Sequence, residues 1–117
     1  MPTSRSNAFA PFDVVVVPFP YSDRLAEKRR PAIVISASQL IADFGLVWLA
    51  MVTSAENRRW ECDVDVSDLR VAGLPAPSLV RPAKIATVDA ARVLERVGRL
   101  TAKDARAVEM RLKQFLG

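Results

Sequence analysis

The sequence predicts a mainly β domain, a small barrel with one C-terminal α-helix laid against it. Two observations carry this. Apolar, strand-forming runs recur at Asp13 to Phe19, Ala32 to Ser36, Leu46 to Thr53 and Ser78 to Ile85, separated by proline, glycine and polar residues. From Thr101 onward the apolar residues fall instead near i, i+3, i+4, i+7 spacing. A chain of 117 residues is the size of one domain with one core.

Residues 1–11 hold Ser, Thr, Asn and Pro without periodicity and read as a flexible arm, which leaves 12–117 as the domain. Asp13 to Phe19 is so continuously apolar that it predicts a strand buried on both faces, with Pro18 and Pro20 ending its ladder. Tyr21 to Arg30 is polar and reads as a loop, and Ala32 to Ser36 as the second strand. Ser38 to Asp43 reads as one helical turn closed by Gly45. Leu46 to Thr53 is a third strand, with Trp48 expected in the core, and Ser54 to Trp60 is a loop. Cys62 to Val66 alternates, which puts Val64 and Val66 on one side of a half-exposed strand. Gly73, Pro75 and Pro77 mark a turn, and Pro82 predicts a bend or an edge position in the fifth strand. Thr101 is a good helix N-cap, with Asp104 completing a near capping box. Ala105, Val108, Leu112, Phe115 and Leu116 form the apolar face of that helix.

Composition narrows the chemistry. No apolar run approaches the roughly 20 residues of a membrane span, and the N-terminus lacks the apolar stretch of a signal peptide. A lone cysteine, Cys62, excludes an internal disulfide and a cysteine–histidine zinc site, and it fits a cytoplasmic location. Lys and Arg number 17 against 13 acids, so an acidic partner is favoured over a basic one. Histidine is absent, which removes the usual neutral-pH proton carrier together with Ser-His-Asp and Cys-His machinery.

The segment Phe12 to Ser36 is the most informative. A Val-rich strand ends in Pro-Phe-Pro, a polar loop follows, and then Lys28, Arg29, Arg30 and Pro31 open the next strand. Cations gathered at the mouth of a strand pair are a way to hold a phosphate. Pro31 restricts Arg30 to extended backbone, and its planar fork suits a phosphoryl group; a solvated arginine at a strand start is the plain alternative. Lys28 and Arg29 read as loop charges or non-specific phosphate contacts. Thr53, at the end of the third strand, has a hydroxyl placed to point into a cleft or to bond local backbone. Arg81 and Lys84 extend a basic groove or stay solvated; alternation puts them on opposite faces unless Pro82 introduces a bulge. Tyr21, Phe19, Phe44, Trp48 and Trp60 are candidate base-stacking groups, and Trp60, beside Arg58 and Arg59, is the exposed one.

Taken in order, these segments resemble the MazF/PemK family of type II toxin–antitoxin ribonuclease toxins. Asp13-Val-Val-Val-Val-Pro-Phe is similar to the family's opening Gly-Asp strand, with Phe12 where glycine is usual. Arg29-Arg30-Pro31-Ala32-Ile33-Val34-Ile35-Ser36 is a close match to its Arg-Pro strand, and Val52-Thr53-Ser54 to its strand-end threonine segment. Ser78 to Ile85 with Val88-Asp89, and Gly98-Arg99-Leu100-Thr101 with the terminal helix, continue the match over residues 12–117. The loop before Arg30, the Ala55-Glu56 that replace the family's glutamine, and Arg81-Pro82 in place of its Asp-Gln pair depart from the pattern and bear on substrate reading.

The resemblance implies an SH3-like barrel that forms a homodimer and is silenced by a small acidic antitoxin protein. It implies sequence-selective, metal-independent cleavage of single-stranded RNA with no cofactor, with Arg30 and Thr53 as the catalytic residues. Lys28, Arg29, Arg81, Lys84 and Trp60 are then the expected RNA contacts. Glu56, Glu27 and Asp23 are the carboxylates near these segments, and the sequence does not choose a general base among them. A CcdB-like gyrase-binding toxin and a non-catalytic SH3-like binding module are the alternative readings.

Overall fold

The Val14–Val17 run forms the middle of β1 (Asp13–Pro20) and buries side chains on both of its faces. The structure, a computed structural model, describes residues 9–20 and 27–117. β1 is followed by β2 (Glu27–Val34), α1 (Ser38–Phe44), β3 (Leu46–Ser54), β4 (Val64–Asp65), α2 (Leu69–Ala72), β5 (Ser78–Asp89), a 3-10 turn (Ala90–Arg92), β6 (Glu95–Arg99) and α3 (Ala102–Leu116). The strands make one antiparallel, six-stranded sheet in the order β4-β5-β3-β2-β1-β6. The expected mainly β architecture with a C-terminal helix is the one found.

Period-two alternation sorts the core into two clusters. Val14, Ile33, Ala50 and Val52 point to one face, where they meet Leu100 and Val108. Val15, Val17, Ala32, Val34, Val47 and Leu49 point to the other and cover Phe9. Each valine, leucine or isoleucine among them contributes about 1.5–3 kcal/mol on full burial. Val64 at the β4 edge and Leu100 just past the β6 edge share the first cluster, so the sheet curls around it. Phe9 is buried, so the folded body begins before residue 12; residues 1–8 of the expected arm lie outside the described residues.

Several expectations are corrected. Glu27 to Arg30 is strand rather than loop, and the remainder of that loop, 21–26, lies outside the described residues. Pro18 and Pro20 stay in register with Arg29 and Glu27. β6 pairs with β1 only from Asp13 to Val16, so beyond Val16 no strand among the described residues requires a proline N–H on that side. The fourth strand shrinks to Val64–Asp65, and α2, capped by Asp68, was not foreseen. β6 was not foreseen either, because Glu95-Arg-Val-Gly-Arg carries too little apolar pattern for an edge strand to show. Gly98 in β6 sits so close to α2 that a Cβ there would collide with the Val71 and Ala72 backbone.

Trp48 is 47 % exposed rather than in the core. It lies on the strand face of Ala50 and Val52 but opposite Thr87, past the stretch of β5 that β4 pairs with, where the first cluster ends. The capping box is half formed. Thr101 Oγ1 accepts from the Asp104 N–H at 3.2 Å, but the Asp104 carboxylate accepts instead from the Ser67 N–H and Oγ at 2.8 and 2.9 Å. That buried contact pins α3 to the chain leaving β4. Phe115 and Leu116, expected on the packed face of α3, are exposed.

Phe12 has φ of 73°, in the left-handed region that favours glycine. Its N–H donates to the Val34 carbonyl at 2.6 Å, its own carbonyl accepts from Leu100 N–H at 3.0 Å, and its ring packs on the first cluster. Those contacts hold a conformation that costs an ordinary residue about 1–2 kcal/mol.

Candidate active site

Sheet register puts Arg30 and Thr53 on one face. Ala32 faces Met51 and Val34 faces Leu49 across β2 and β3. Arg30 and Thr53 each lie two residues beyond the Ala32–Met51 pair, so alternation puts both on the face of Ala32 and Met51, and Arg30 pairs with Val17 of β1. Leu79 of β5 faces Thr53, and Asp65 of β4 faces Leu79. Val17 with Arg30, and Thr53 with Leu79 and Asp65, therefore lie on one face of the sheet. Pro31 keeps Arg30 extended at this point. Lys28 shares the face of Arg30 by alternation; Arg29 takes the opposite one, and both are exposed.

The end of β3 is shaped by a turn. Asn57 N–H donates to the Ser54 carbonyl at 3.0 Å, Glu56 N–H to Ser54 Oγ at 3.1 Å, and Ala55 N–H to the Pro77 carbonyl at 3.0 Å. The turn brings the Asn57 side chain back over the strand end, where Nδ2 donates to Thr53 Oγ1 at 2.6 Å. Glu56 is exposed in this turn; the side chains of Asp23 and Glu27 lie outside the description.

Beside this row sits a second polar group. Met51 faces Arg81, and the next pair is Ala50 with Ile85, so Pro82, Ala83 and Lys84 are left out of the ladder as a bulge. Pro82 is buried and Lys84 is exposed there. Arg81 Nε and Nη2 donate to the two oxygens of Asp63 at 3.0 and 2.9 Å, and Nη2 also donates to the Arg58 carbonyl at 2.9 Å. Its guanidinium carbon lies 4.0 Å from the centre of the Trp60 ring. Trp60 N–H donates to Asp63 as well, at 2.8 Å. The expected solvated groove arginine is thus turned inward as a clamp. It holds Trp60, which remains 37 % exposed, at the rim of the site face. Farther along, Arg59 pairs with Asp65 at 2.6 Å in the open, a contact worth little to stability.

Burial by itself raises the Asp63 carboxyl. The Arg81 hydrogen bond, the Trp60 N–H and the charges of Arg81 and Arg59 outweigh it and hold the carboxyl below its ordinary value. The hydrogen bond to Asp63 raises the Arg81 guanidinium in turn. A depressed folded-state value means the stabilisation is present above the unfolded carboxyl value, about pH 4, and is lost as pH falls through the folded value. Urea midpoints measured from pH 7 to 2.5 should therefore fall more steeply for the wild type than for Asp63→Asn, which has no carboxylate to protonate. Parallel curves would show that the pair does not contribute to acid sensitivity.

Neither Asn57 nor Asp63 was singled out from sequence. Asp63 left one trace, since a cation inside the apolar run Leu79 to Ala83 needs a carboxylate, and the alternating Cys62 to Val66 segment supplies one. Asn57 left none. Among the described residues, no group of three or more Cys, Asp or Glu is gathered to hold a metal.

Fold and site together define a small β protein, one curled sheet and a terminal helix, with a cation and a hydroxyl on one sheet face. A profile of the family described as PemK-like, MazF-like toxin of type II toxin–antitoxin system matches residues 10–116. The chain belongs to that family. Among solved structures it is similar to MazF from Deinococcus radiodurans, with 21% identity, 94% of this chain and 97% of that one covered, and a TM-score of 0.75. The Mycobacterium tuberculosis toxin MazF-mt6 is similar at 19% identity, with 89% and 95% covered and a TM-score of 0.71. An endoribonuclease in complex with its cognate antitoxin, from a mycobacterial species, is similar at 16% identity, with 94% and 96% covered and a TM-score of 0.74. At these identities the likeness is one of fold. No curated protein matches the chain significantly.

Proposed function

We propose that this toxin-family chain is a metal-independent endoribonuclease that cleaves single-stranded RNA. The observation that supports the reading is the β2–β3 register, by which alternation puts Arg30 and Thr53 on one sheet face. RNA supplies its own nucleophile, the 2′-OH beside the scissile phosphate. Its oxygen gives up its proton to solvent and bonds to phosphorus as the bond to the 5′-oxygen breaks and that oxygen takes up a proton from solvent, leaving a 2′,3′-cyclic phosphate and a 5′-OH. What the protein must add is alignment and stabilisation of the charge on the five-coordinate transition state. Arg30 donates to the non-bridging oxygens and Thr53 O–H holds the phosphate in place. This division needs no imidazole, in keeping with a chain that has none.

Lys28, on the face of Arg30, meets a flanking phosphate, and Trp60, clamped by Arg81, offers a stacking surface for a base. Arg29 and Lys84 are peripheral phosphate contacts. A toxin–antitoxin pairing follows from the family, and the mycobacterial endoribonuclease similar to this chain is named in complex with its antitoxin. On that basis the chain acts as a homodimer in the cytoplasm, and a small acidic antitoxin occupies the basic face. Among the described residues no helix is long and apolar enough to cross a membrane.

One gel tests the reading: purified protein on a long RNA, with and without chelator, and with the product of the neighbouring reading frame co-purified. Cutting is expected in both chelator lanes and not with the partner; sedimentation of the same sample should give a dimer mass. Binding without cutting would make the chain a binding module. Failure to bind or cut RNA, with inhibition of gyrase, would make it a CcdB-like poison.

A further inference from the structure

We infer that Asn57 is a positioning residue for Thr53, and that its side-chain amide fixes the direction in which the Thr53 hydroxyl donates. The inference rests on the ribonuclease reading above. A threonine hydroxyl has one proton and two acceptor sites, and it rotates to suit its neighbours. Here Nδ2 of Asn57 donates to Thr53 Oγ1 at 2.6 Å. An amide N–H offers no lone pair, so the hydroxyl proton is turned away from Asn57 and is left for a phosphoryl oxygen of the substrate. Without the amide the same hydroxyl is free to rotate and to bond local backbone or water instead, the competing habit of a strand-end threonine. The amide itself is held in place by its own backbone, since the Asn57 N–H closes the turn on Ser54 and Ala55 ties that turn to Pro77. The arrangement orients a donor before substrate arrives, and that preorganisation is the form of electrostatic stabilisation that costs no rearrangement during the reaction.

The inference predicts a specific pattern. Asn57→Ala should lower kcat by about 3- to 10-fold, the worth of one oriented hydrogen bond, with KM little changed. In a Thr53→Ala background, Asn57→Ala should have no further effect, because its whole influence passes through the hydroxyl. Asn57→Asp should do more harm than Asn57→Ala near pH 7. The introduced carboxylate only accepts, so it draws the Thr53 proton toward itself and away from the phosphate. Relative to wild type, that variant should recover as pH is lowered toward about 4, where a carboxyl becomes a donor.

The experiment is single-turnover cleavage of one RNA by wild type, the three single variants and the Asn57→Ala/Thr53→Ala pair, from pH 4.5 to 8. It is paired with the NMR resonances of the Asn57 side-chain amide in wild type and in Thr53→Val, which removes the acceptor. The amide resonances should shift in Thr53→Val, and the coupling between the two positions should equal the full Asn57→Ala effect. Additive losses, an effect on KM alone, an Asn57→Asp profile parallel to wild type, or an unmoved amide resonance each overturn the inference while leaving the ribonuclease reading standing. A wild-type protein that leaves RNA uncut overturns that reading, and this inference with it.

Discussion

Arg30→Ala should lose RNA cleavage by about 10²–10³-fold, the usual consequence of removing one preorganised donor to a developing oxyanion. The rate, not RNA affinity, should carry most of the loss, because the donor matters most when charge builds on the five-coordinate phosphorus. Arg29→Ala is the internal control. It removes the same charge one residue away, but from the opposite face of β2, where Arg29 is exposed and in register with Pro18. Its effect should be small and should shrink with added salt, as expected of a distant phosphate attraction. Arg30→Lys separates fork from charge, since an ammonium keeps the cation but not the planar pair of donors. Near-ultraviolet circular dichroism and thermal midpoints close to wild type would confirm that each variant is folded. Equal loss in the two alanine variants, or none in either, would remove Arg30 from the catalytic role.

Replacing the nucleotide on the 5′ side of the cleaved linkage by its 2′-deoxy form should abolish cleavage while leaving binding nearly intact. The chain has no histidine, and its single cysteine is partly buried, so the proposed chemistry relies on the substrate for its nucleophile. Phosphate contacts supply most of the affinity, and they survive loss of one hydroxyl. The deoxy oligonucleotide should therefore compete with RNA for the protein in a filter or anisotropy assay, with an inhibition constant near the RNA dissociation constant. It should remain uncut for as long as the all-RNA control takes to disappear, and chelator should change neither result. Cleavage of the deoxy linkage, or a strict requirement for Mg²⁺, would exclude attack by the 2′-OH.

The sequence alone marked the middle of β1, β2, β3 and β5, the short β4 and the start of the terminal helix, but not β6 or α2. Those signals are local: period-two or continuous apolar runs, the glycine that closes α1, and the Thr101 cap. It also marked Arg30, an arginine before a proline at a strand start, whereas Thr53 carries no signal by itself and was picked out by the family resemblance. What it did not determine is which of these groups share a face. Arg30 and Thr53 come to share a face only through the β2–β3 register, and a slip of one residue would turn Thr53 to the other side.

The same reason explains the misreadings. Arg81 looked like a solvated groove cation, since nothing local shows that Asp63, 18 residues away, will meet it when β4 pairs with β5. Trp48 looked like core, since its burial depends on whether another element covers that end of the sheet, and the packed cluster stops short of it. Asn57 was invisible because an asparagine in a polar loop has no signature of its own. Its role exists only after the turn at Ser54 folds it back onto Thr53. Backbone preference is written in neighbours along the chain. The pairing of side chains across a sheet is decided by register, curl and cover, and those belong to the folded molecule.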